Sequence, residues 1–258
     1  MKKNKNILLT GGAGYIGSHT FIALSSCGYT PIIIDNFSNS SIKVIKKLNK
    51  ILKKKIIFYN IDLREKSKLL SIFKNRKIDS VIHFAGLKSV NESSKESINY
   101  FNNNIQSTLS LIECMKKKKI FKIIFSSSAS VYNPNQSLPW KENSSIGKTS
   151  SPYGTSKYII ERILADLASS DSRWNIKIAR YFNPISNHSS GLIVDNPRGI
   201  PDNLIPSIIK VAKKELPYLK VYGKNYDTKD GTCKRDYIHV MDLAEGHIAM
   251  LKKKKLTN

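Results

Sequence analysis

At 258 residues and 40% apolar content, the chain is globular and long enough to bury a substantial core, as one large domain or as a domain with a smaller lobe. Its formal net charge of +24 comes almost wholly from lysine, in runs such as Lys53-Lys54-Lys55 and Lys116-Lys117-Lys118-Lys119. With few arginines for bidentate phosphate or base contacts and no aromatic-plus-basic recognition motif, the charge argues against a specific nucleic-acid partner; a drifting nucleotide composition, visible also in abundant asparagine, isoleucine and serine, explains it as well.

Residues 6–10 read as a short buried strand, followed by Gly11-Gly12-Ala13-Gly14-Tyr15-Ile16-Gly17 and a helix running to about Cys27, with Gly28 as its stop signal. Strand, glycine turn and helix are the parts of a dinucleotide site. Gly11 and Gly14, lacking Cβ atoms, let backbone N–H groups approach a pyrophosphate at the positive helix end, and Gly17 lets helix and strand pack closely. The spacing is G-x-x-G-x-x-G, a near miss to the usual fingerprint. Residues 31–34 form a second strand ending at Asp35, whose carboxylate suits the hydroxyls of an adenosine ribose and repels a 2′-phosphate, favouring NAD over NADP. A plain turn residue before Asn36 is the alternative for Asp35.

Residues 41–53 read as a surface helix, 56–60 as a third strand, and Asp62-Leu63 close it where an adenine would lie. A fourth strand spans 79–84 and continues into Ala85-Gly86-Leu87-Lys88, whose small residues permit a close cofactor approach or make an ordinary strand-to-helix turn. A long helix over 93–117 follows, its lysines at the end where the helix dipole favours cations. A fifth strand over 121–125 ends in Ser126-Ser127-Ser128. A helix beginning near Pro152 carries Tyr153, Lys157, Ile159, Ile160, Ile163, Leu164 and Leu167, and 176–181 form a sixth strand.

Six strand–helix alternations predict an α/β Rossmann-type doubly wound parallel sheet with ligands at the carboxyl ends of its strands. Beyond Phe182 the alternation fails in a passage containing Pro197, Gly199, Pro201 and Pro206. A helix near 204–214, a short strand over 219–222 and a helix over 241–253 complete a smaller, incomplete lobe. The expected division is therefore 1–181 for NAD binding and 182–258 for a partial substrate-binding lobe. Cys27, Cys114 and Cys233 are scattered and odd in number, which fits a reducing cytoplasm rather than a zinc or disulfide framework. The N-terminus lacks the apolar h-region of a secretory signal, and no apolar run approaches the ~18 residues of a membrane span.

The chemistry centres on Tyr153-Gly154-Thr155-Ser156-Lys157. Four residues apart on a helix, the phenol and ammonium share one face. An ammonium beside a phenol that ordinarily titrates near ~10 favours the phenolate, making Tyr153 a base at neutral pH. Such a pair also recurs on solvated helices; the glycine turn and the Ser126-Ser127-Ser128 cluster are what single this one out.

These features resemble the extended short-chain dehydrogenase/reductases and, within them, the UDP-glucose 4-epimerase family, over essentially the whole chain. The resemblance rests on Thr10 to His19, on Val81-Ile82-His83-Phe84-Ala85-Gly86-Leu87-Lys88, on Ser126-Ser127-Ser128-Ala129, on Ser151-Pro152-Tyr153-Gly154, on Arg180-Tyr181-Phe182-Asn183-Pro184, and on Arg235-Asp236-Tyr237-Ile238-His239-Val240-Met241-Asp242-Leu243-Ala244. It implies a tightly held NAD and reversible epimerisation of UDP-glucose and UDP-galactose through a 4-keto sugar that turns over before hydride returns to its other face. By the same matching Tyr153 takes the proton of the 4-hydroxyl, Lys157 holds the nicotinamide ribose, and Ser128 hydrogen-bonds the reacting oxygen. Tyr15, Ile16, Asp35, Asn36, Asp62, Leu63, Phe84, Ala85, Gly86, Lys88, Asn103 and Phe182 contact NAD; Asn183, Asn203, Tyr222 and Arg235 hold the UDP-sugar. For Arg235 a guanidinium fork suits a diphosphate, and an ion pair with Asp236 is the alternative. His239 and His247 match nothing catalytic.

The sister 4,6-dehydratases need an acid and a base just beyond the serine, where this chain has Ala129-Ser130. Family members continue past the helix over 242–251 with a further arginine and tyrosine for the substrate clamp. The lysine run 252–255 and the end at Asn258 give the expectation of a shortened chain with weakened UDP-sugar binding, or of a non-catalytic NAD-binding remnant. A basic surface-binding protein is the third reading. A homodimer is expected from apolar positions on the Tyr153 helix.

Overall fold

The computed structural model describes residues 5–197, 201 and 203–253; Gly199 and residues 254–258 lie outside them. Six strands, β1 (Asn6–Thr10), β2 (Thr30–Asp35), β3 (Ile57–Asn60), β4 (Ser80–His83), β5 (Lys122–Ser126) and β6 (Asn175–Ala179), form one sheet in the order β3-β2-β1-β4-β5-β6. Every pairing in it is parallel. A parallel sheet is covered on both faces, which is why its strands read as unbroken apolar runs such as Ile7-Leu8-Leu9 and Ile123-Ile124-Phe125.

Alternation along those runs divides the core in two. Leu8, Ile32, Ile34, Val81, Ile123 and Phe125 face α3 (Lys66–Asn75), α5 (Ser97–Lys117) and α6 (Pro152–Ser170). Ile7, Leu9, Ile33, Ile82 and Ile124 face α1 (Tyr15–Ser26), α2 (Ile42–Leu52) and α8 (Val240–Lys252). The chain therefore returns in α8 to cover the sheet: Ala244, Ile248 and Leu251 pack with Phe21, Ile22 and Leu24 of α1.

Two expectations are corrected. The predicted helix over 93–117 is two helices, α4 (Val90–Lys95) and α5, separated at Glu96, where φ is −122°. The Ser89 side chain caps the N–H of Glu92 and so starts a helix early, and the Tyr100 hydroxyl accepts from the Ser89 N–H at 3.0 Å and donates to Glu92 at 2.6 Å, folding α4 back over α5. No strand forms over 219–222, where Val221 and Tyr222 are exposed and have no ladder to join. Instead β7 (Asn183–Ile185) pairs in parallel with β8 (Tyr237–His239), with α7 (Leu204–Ala212) between them in sequence; neither strand is long enough to stand out as a period-two pattern. Helix α3 and the 3-10 turn Ala129–Val131 were also not expected.

Candidate active site

Strand order reverses between β1 and β4, and there a cleft of about 1610 Å³ opens at the carboxyl ends of the strands. That exceeds the usual volume of a single small-molecule pocket, up to about 1,000 Å³, and gives room for two ligands end to end. Every residue assigned above to NAD, to the UDP-sugar or to proton transfer lines it.

At one end lies the glycine turn. Gly11 takes φ +67°, and a Cβ on it would stand 2.7 Å from the backbone nitrogen of Ala85, so its glycine serves the approach of two loops as much as that of a ligand. A Cβ on Gly17 would meet the Gly11 carbonyl oxygen at 2.5 Å and Gly12 Cα at 2.8 Å, the close helix packing expected of it. Gly14 is the N-cap of α1, with no side-chain cap and no acidic residue in the first turn. The α1 N–H groups and positive dipole end therefore face the cleft ready for an anion.

Asp35, at the end of β2, is buried. Its Oδ2 accepts from the Ala13 N–H at 2.9 Å, and its Oδ1 accepts from the Phe37 N–H and the Ser40 hydroxyl, both at 2.9 Å. The carboxylate thus locks the glycine turn to the 37–40 loop while retaining acceptor capacity toward the cleft. Asn36 donates to Asp62 at 3.0 Å, and the Arg64 fork holds the Asp62 carboxyl down at about 2. Leu63 is buried beside it. Ala85 and Gly86 follow β4, with Gly86 at φ +155° against the Asn104 side chain. Lys88 pairs with Asp195 at 3.6 Å, and the Tyr15 hydroxyl donates to the Ser186 carbonyl at 2.5 Å, so the 182–197 segment is tied across the cleft to the glycine-turn side. Ile16 and Asn103 line the same wall.

In the same cleft Ser128, Tyr153 and Lys157 meet. Pro152 at the start of α6 and the Ser151 hydroxyl, which caps the Gly154 N–H at 3.2 Å, fix the first turn that carries Tyr153. Gly154 is needed there because a Cβ would stand 2.7 Å from the Ser130 carbonyl oxygen. Burial pushes the Tyr153 phenol above its ordinary value, opposed by its hydrogen bond with Ser128. Lys157 donates to the Ser126 carbonyl at 2.8 Å, and its Nζ lies 4.8 Å from the centre of the Phe125 ring and 5.9 Å from that of Tyr153. Burial lowers the ammonium to about 8, opposed by Glu161. Before any ligand arrives, then, the pull on the phenol toward phenolate comes from Ser128 rather than from Lys157.

The remaining residues form the outer rim. Phe182 is 40% exposed and stacks on Trp140 at 6.3 Å. Asn183 donates to the Asp236 carbonyl at 2.9 Å. Asn203 precedes α7 without capping it, Tyr222 is 75% exposed, and Arg235 donates only to the neighbouring Lys234 carbonyl among the described residues, not to the Asp236 carboxylate. These groups share the cleft but not one tight cluster.

Sequence reasoning missed the buried supports. The Asn104 side chain donates to Leu87 O at 3.1 Å and to Ser156 Oγ at 3.0 Å, joining the β4 loop to α6. His83, neutral and pushed down to about 3 by burial and by Lys157, bridges Thr10 at 2.6 Å and Thr108 at 2.9 Å. Tyr181 hydrogen-bonds Ser126 and lies against His247. Glu161 was legible as the next position on the Tyr153 and Lys157 face. His239 caps α8 through the Met241 N–H, and His247 packs between Phe84 and Tyr181, both structural as expected. Among the described residues no cluster of His, Cys, Asp or Glu could hold a metal ion, and no helix is long and apolar enough to cross a membrane.

A family model described as the NAD dependent epimerase/dehydratase family matches residues 7–258. The chain belongs to that family. The UDP-glucose 4-epimerase of Neisseria meningitidis serogroup A is 51% identical over 250 residues, 97% of this chain and 74% of that one. That of Bacillus subtilis is 47% identical over 96% of this chain and 73% of its own length. Among solved structures, the Bifidobacterium longum UDP-glucose 4-epimerase in complex with NAD+ and UDP superposes with a TM-score of 0.94 at 48% identity, covering 97% of this chain and 75% of that one. Relatives of this family also include the UDP-Glc/GlcNAc 4-epimerase of Campylobacter jejuni, at 33% identity and a TM-score of 0.81.

Proposed function

We infer that this chain is an NAD-dependent isomerase that interconverts UDP-glucose and UDP-galactose by inverting carbon 4 through a 4-keto intermediate. The observation that carries this reading is the meeting of Ser128, Tyr153 and Lys157 in one cleft with the uncapped glycine-turn helix and Asp35. These residues fit NAD: an anion-ready helix end for the pyrophosphate, a buried carboxylate at the end of β2 for the adenosine ribose, and a buried ammonium for the second ribose. When bound there, NAD supplies a two-electron acceptor that gives the electrons back within the same turnover.

The chain's own groups manage the proton. Tyr153 Oη accepts the proton of the sugar 4-hydroxyl as that carbon is oxidised and returns it when the ketone is reduced, a contribution of about 10²–10⁴-fold for a positioned acid–base. Ser128 donates to the same oxygen, and the field of Lys157 biases Tyr153 toward phenolate once a ligand draws the two together. Arg235, with Asn183, Asn203 and Tyr222, holds the uridine diphosphate end; its guanidinium is free of the Asp236 carboxylate among the described residues and matches a diphosphate. Ser130 stands where a dehydratase needs a carboxylate, and it accepts from Ser128 at 3.1 Å.

The same reading divides the chain at 181/182 into a dinucleotide half and a sugar-binding segment and places the protein in the cytoplasm. It assigns a homodimer to the α5 and α6 side, where the exposed apolar residues in support, Ile98 at 75% and Leu109 at 37%, both lie on α5. The test is conversion of UDP-galactose to UDP-glucose by the purified chain together with its NAD content. NAD without conversion would leave a dinucleotide-binding remnant, and neither would remove the assignment.

A further inference from the structure

Behind the reacting groups lies an ion pair that the proton chemistry described above does not use. Glu161, 3% exposed, follows Lys157 by one turn on α6. Arg180, just past β6, grips it with Nε at 3.0 Å from Oε1 and Nη2 at 2.8 Å from Oε2. The guanidinium also donates to the Glu142 carbonyl at 2.9 Å and lies 5.2 Å from the centre of the Tyr132 ring. Glu161 Oε1 also accepts the Ser127 hydroxyl. Ser127 in turn donates its N–H to the Ala179 carbonyl at 2.9 Å, and the Ala129 N–H donates to the Tyr181 carbonyl at 3.1 Å. The turn that presents Ser128 is thus strung between β6 and the Glu161 carboxylate.

A buried pair of this kind is seldom kept for stability, since apolar residues of similar volume fill such a space as well. Here it has a position that apolar residues could not replace. Lys157 donates to the Ser126 carbonyl and lies near the Phe125 and Tyr153 rings; the neutral His83 of β4 feels its charge through space, as Tyr181 feels Tyr153. Among the groups acting on the ammonium, Glu161 is the one carrying negative charge.

We propose that Glu161, clamped by Arg180, is a positioning residue for the epimerase reaction: it fixes the Ser127-Ser128 turn and keeps Lys157 charged at the pH where Tyr153 exchanges its proton. This rests on the functional reading above. The burial that lowers Lys157 to about 8 is opposed by Glu161, so loss of that charge moves the ammonium further down. Lys157 then loses its proton inside the working pH range, and activity drops on the alkaline side first.

The experiment compares kcat against pH for the NAD-loaded wild type, Glu161→Gln and the double variant Glu161→Gln/Arg180→Met, which strands no buried ion. In both variants the alkaline limb should move down by about one unit, so that kcat near pH 8.5 falls about tenfold while kcat near pH 6.5 stays within about threefold of wild type. A second readout needs no turnover: the pH at which Lys157 becomes acetylated by an amine-reactive reagent, read by peptide mass spectrometry on the full chain, should fall in step. A uniform loss of kcat at all pH values, with the Lys157 titration unmoved, would overturn the proposal and reduce the pair to a structural brace. A wild type that converts no UDP-sugar would instead sink the functional reading, and the Lys157 titration would still decide what Glu161 does.

Discussion

The two ends of the cleft are built differently. On the dinucleotide side, Asp35, Asn104 and His83 are held by buried hydrogen bonds, and Gly11 packs so close to Ala85 that a Cβ would find no room, all before any ligand arrives. On the sugar side, Asn203, Tyr222 and Arg235 stand on a segment with one short helix and a three-residue strand pair, largely exposed to solvent. The contrast teaches that cofactor binding rests on a preformed cradle, whereas UDP-sugar binding depends on groups that the ligand itself must gather. A cofactor retained across turnovers suits the first design, and a substrate that must enter, turn over and leave suits the second.

Substitutions should respect this division. Tyr153→Phe stands at the junction and should have the largest effect: kcat falls about 10²–10⁴-fold with NAD content and melting temperature unchanged, and unaltered turnover would remove the phenol from the chemistry. Gly11→Ala strikes the preformed side. A left-handed φ and a Cβ driven into Ala85 should cost about 3 kcal/mol, seen as a lowered urea midpoint together with lost NAD. Should NAD stay bound at full stability, the cradle is softer than the close contacts imply.

Arg235→Ala strikes the gathered side, where the loss of a charge-assisted contact should raise KM for UDP-galactose by about 10–100-fold while NAD content stays level. Equal damage to NAD retention would erase the distinction between the two ends. The remaining effect is on pH, and it acts on stability rather than on turnover. His83, held near 3, and His247, lowered to about 4, stay neutral in the native protein, while the unfolded chain protonates both below about 6.5. The unfolded state then binds more protons, so stability falls as pH drops below 6.5, by about 2 kcal/mol per histidine at pH 5. Urea midpoints at pH 7 and pH 5 check this, and His247→Phe should recover about half of the loss.

Much of the preformed side was readable in the chain. Ile7-Leu8-Leu9, Pro31-Ile32-Ile33-Ile34 and Ile123-Ile124-Phe125 are continuous apolar runs because both sheet faces are covered, and Gly11, Gly17 and Asp35 sit at fixed offsets from those strands. Tyr153 and Lys157 were legible because helical spacing is local. The gathered side was not. The strand expected over 219–222 is absent, and the pairing of Asn183–Ile185 with Tyr237–His239 spans more than fifty residues, so no local pattern announces it.

From the order of residues alone came the parallel α/β architecture, the glycine turn, the carboxylate after the second strand and the tyrosine–lysine helix, since each depends on periodicity or spacing within a few turns of chain. Folding alone decided that Gly11 must clear Ala85, that α8 returns to cover α1, and that Arg180 and Glu161 meet behind Ser127 and Lys157. It also decided that burial, rather than the neighbouring ammonium, sets the starting state of the Tyr153 phenol. Desolvation and contact between distant segments belong to the packed molecule, and no window of sequence contains them.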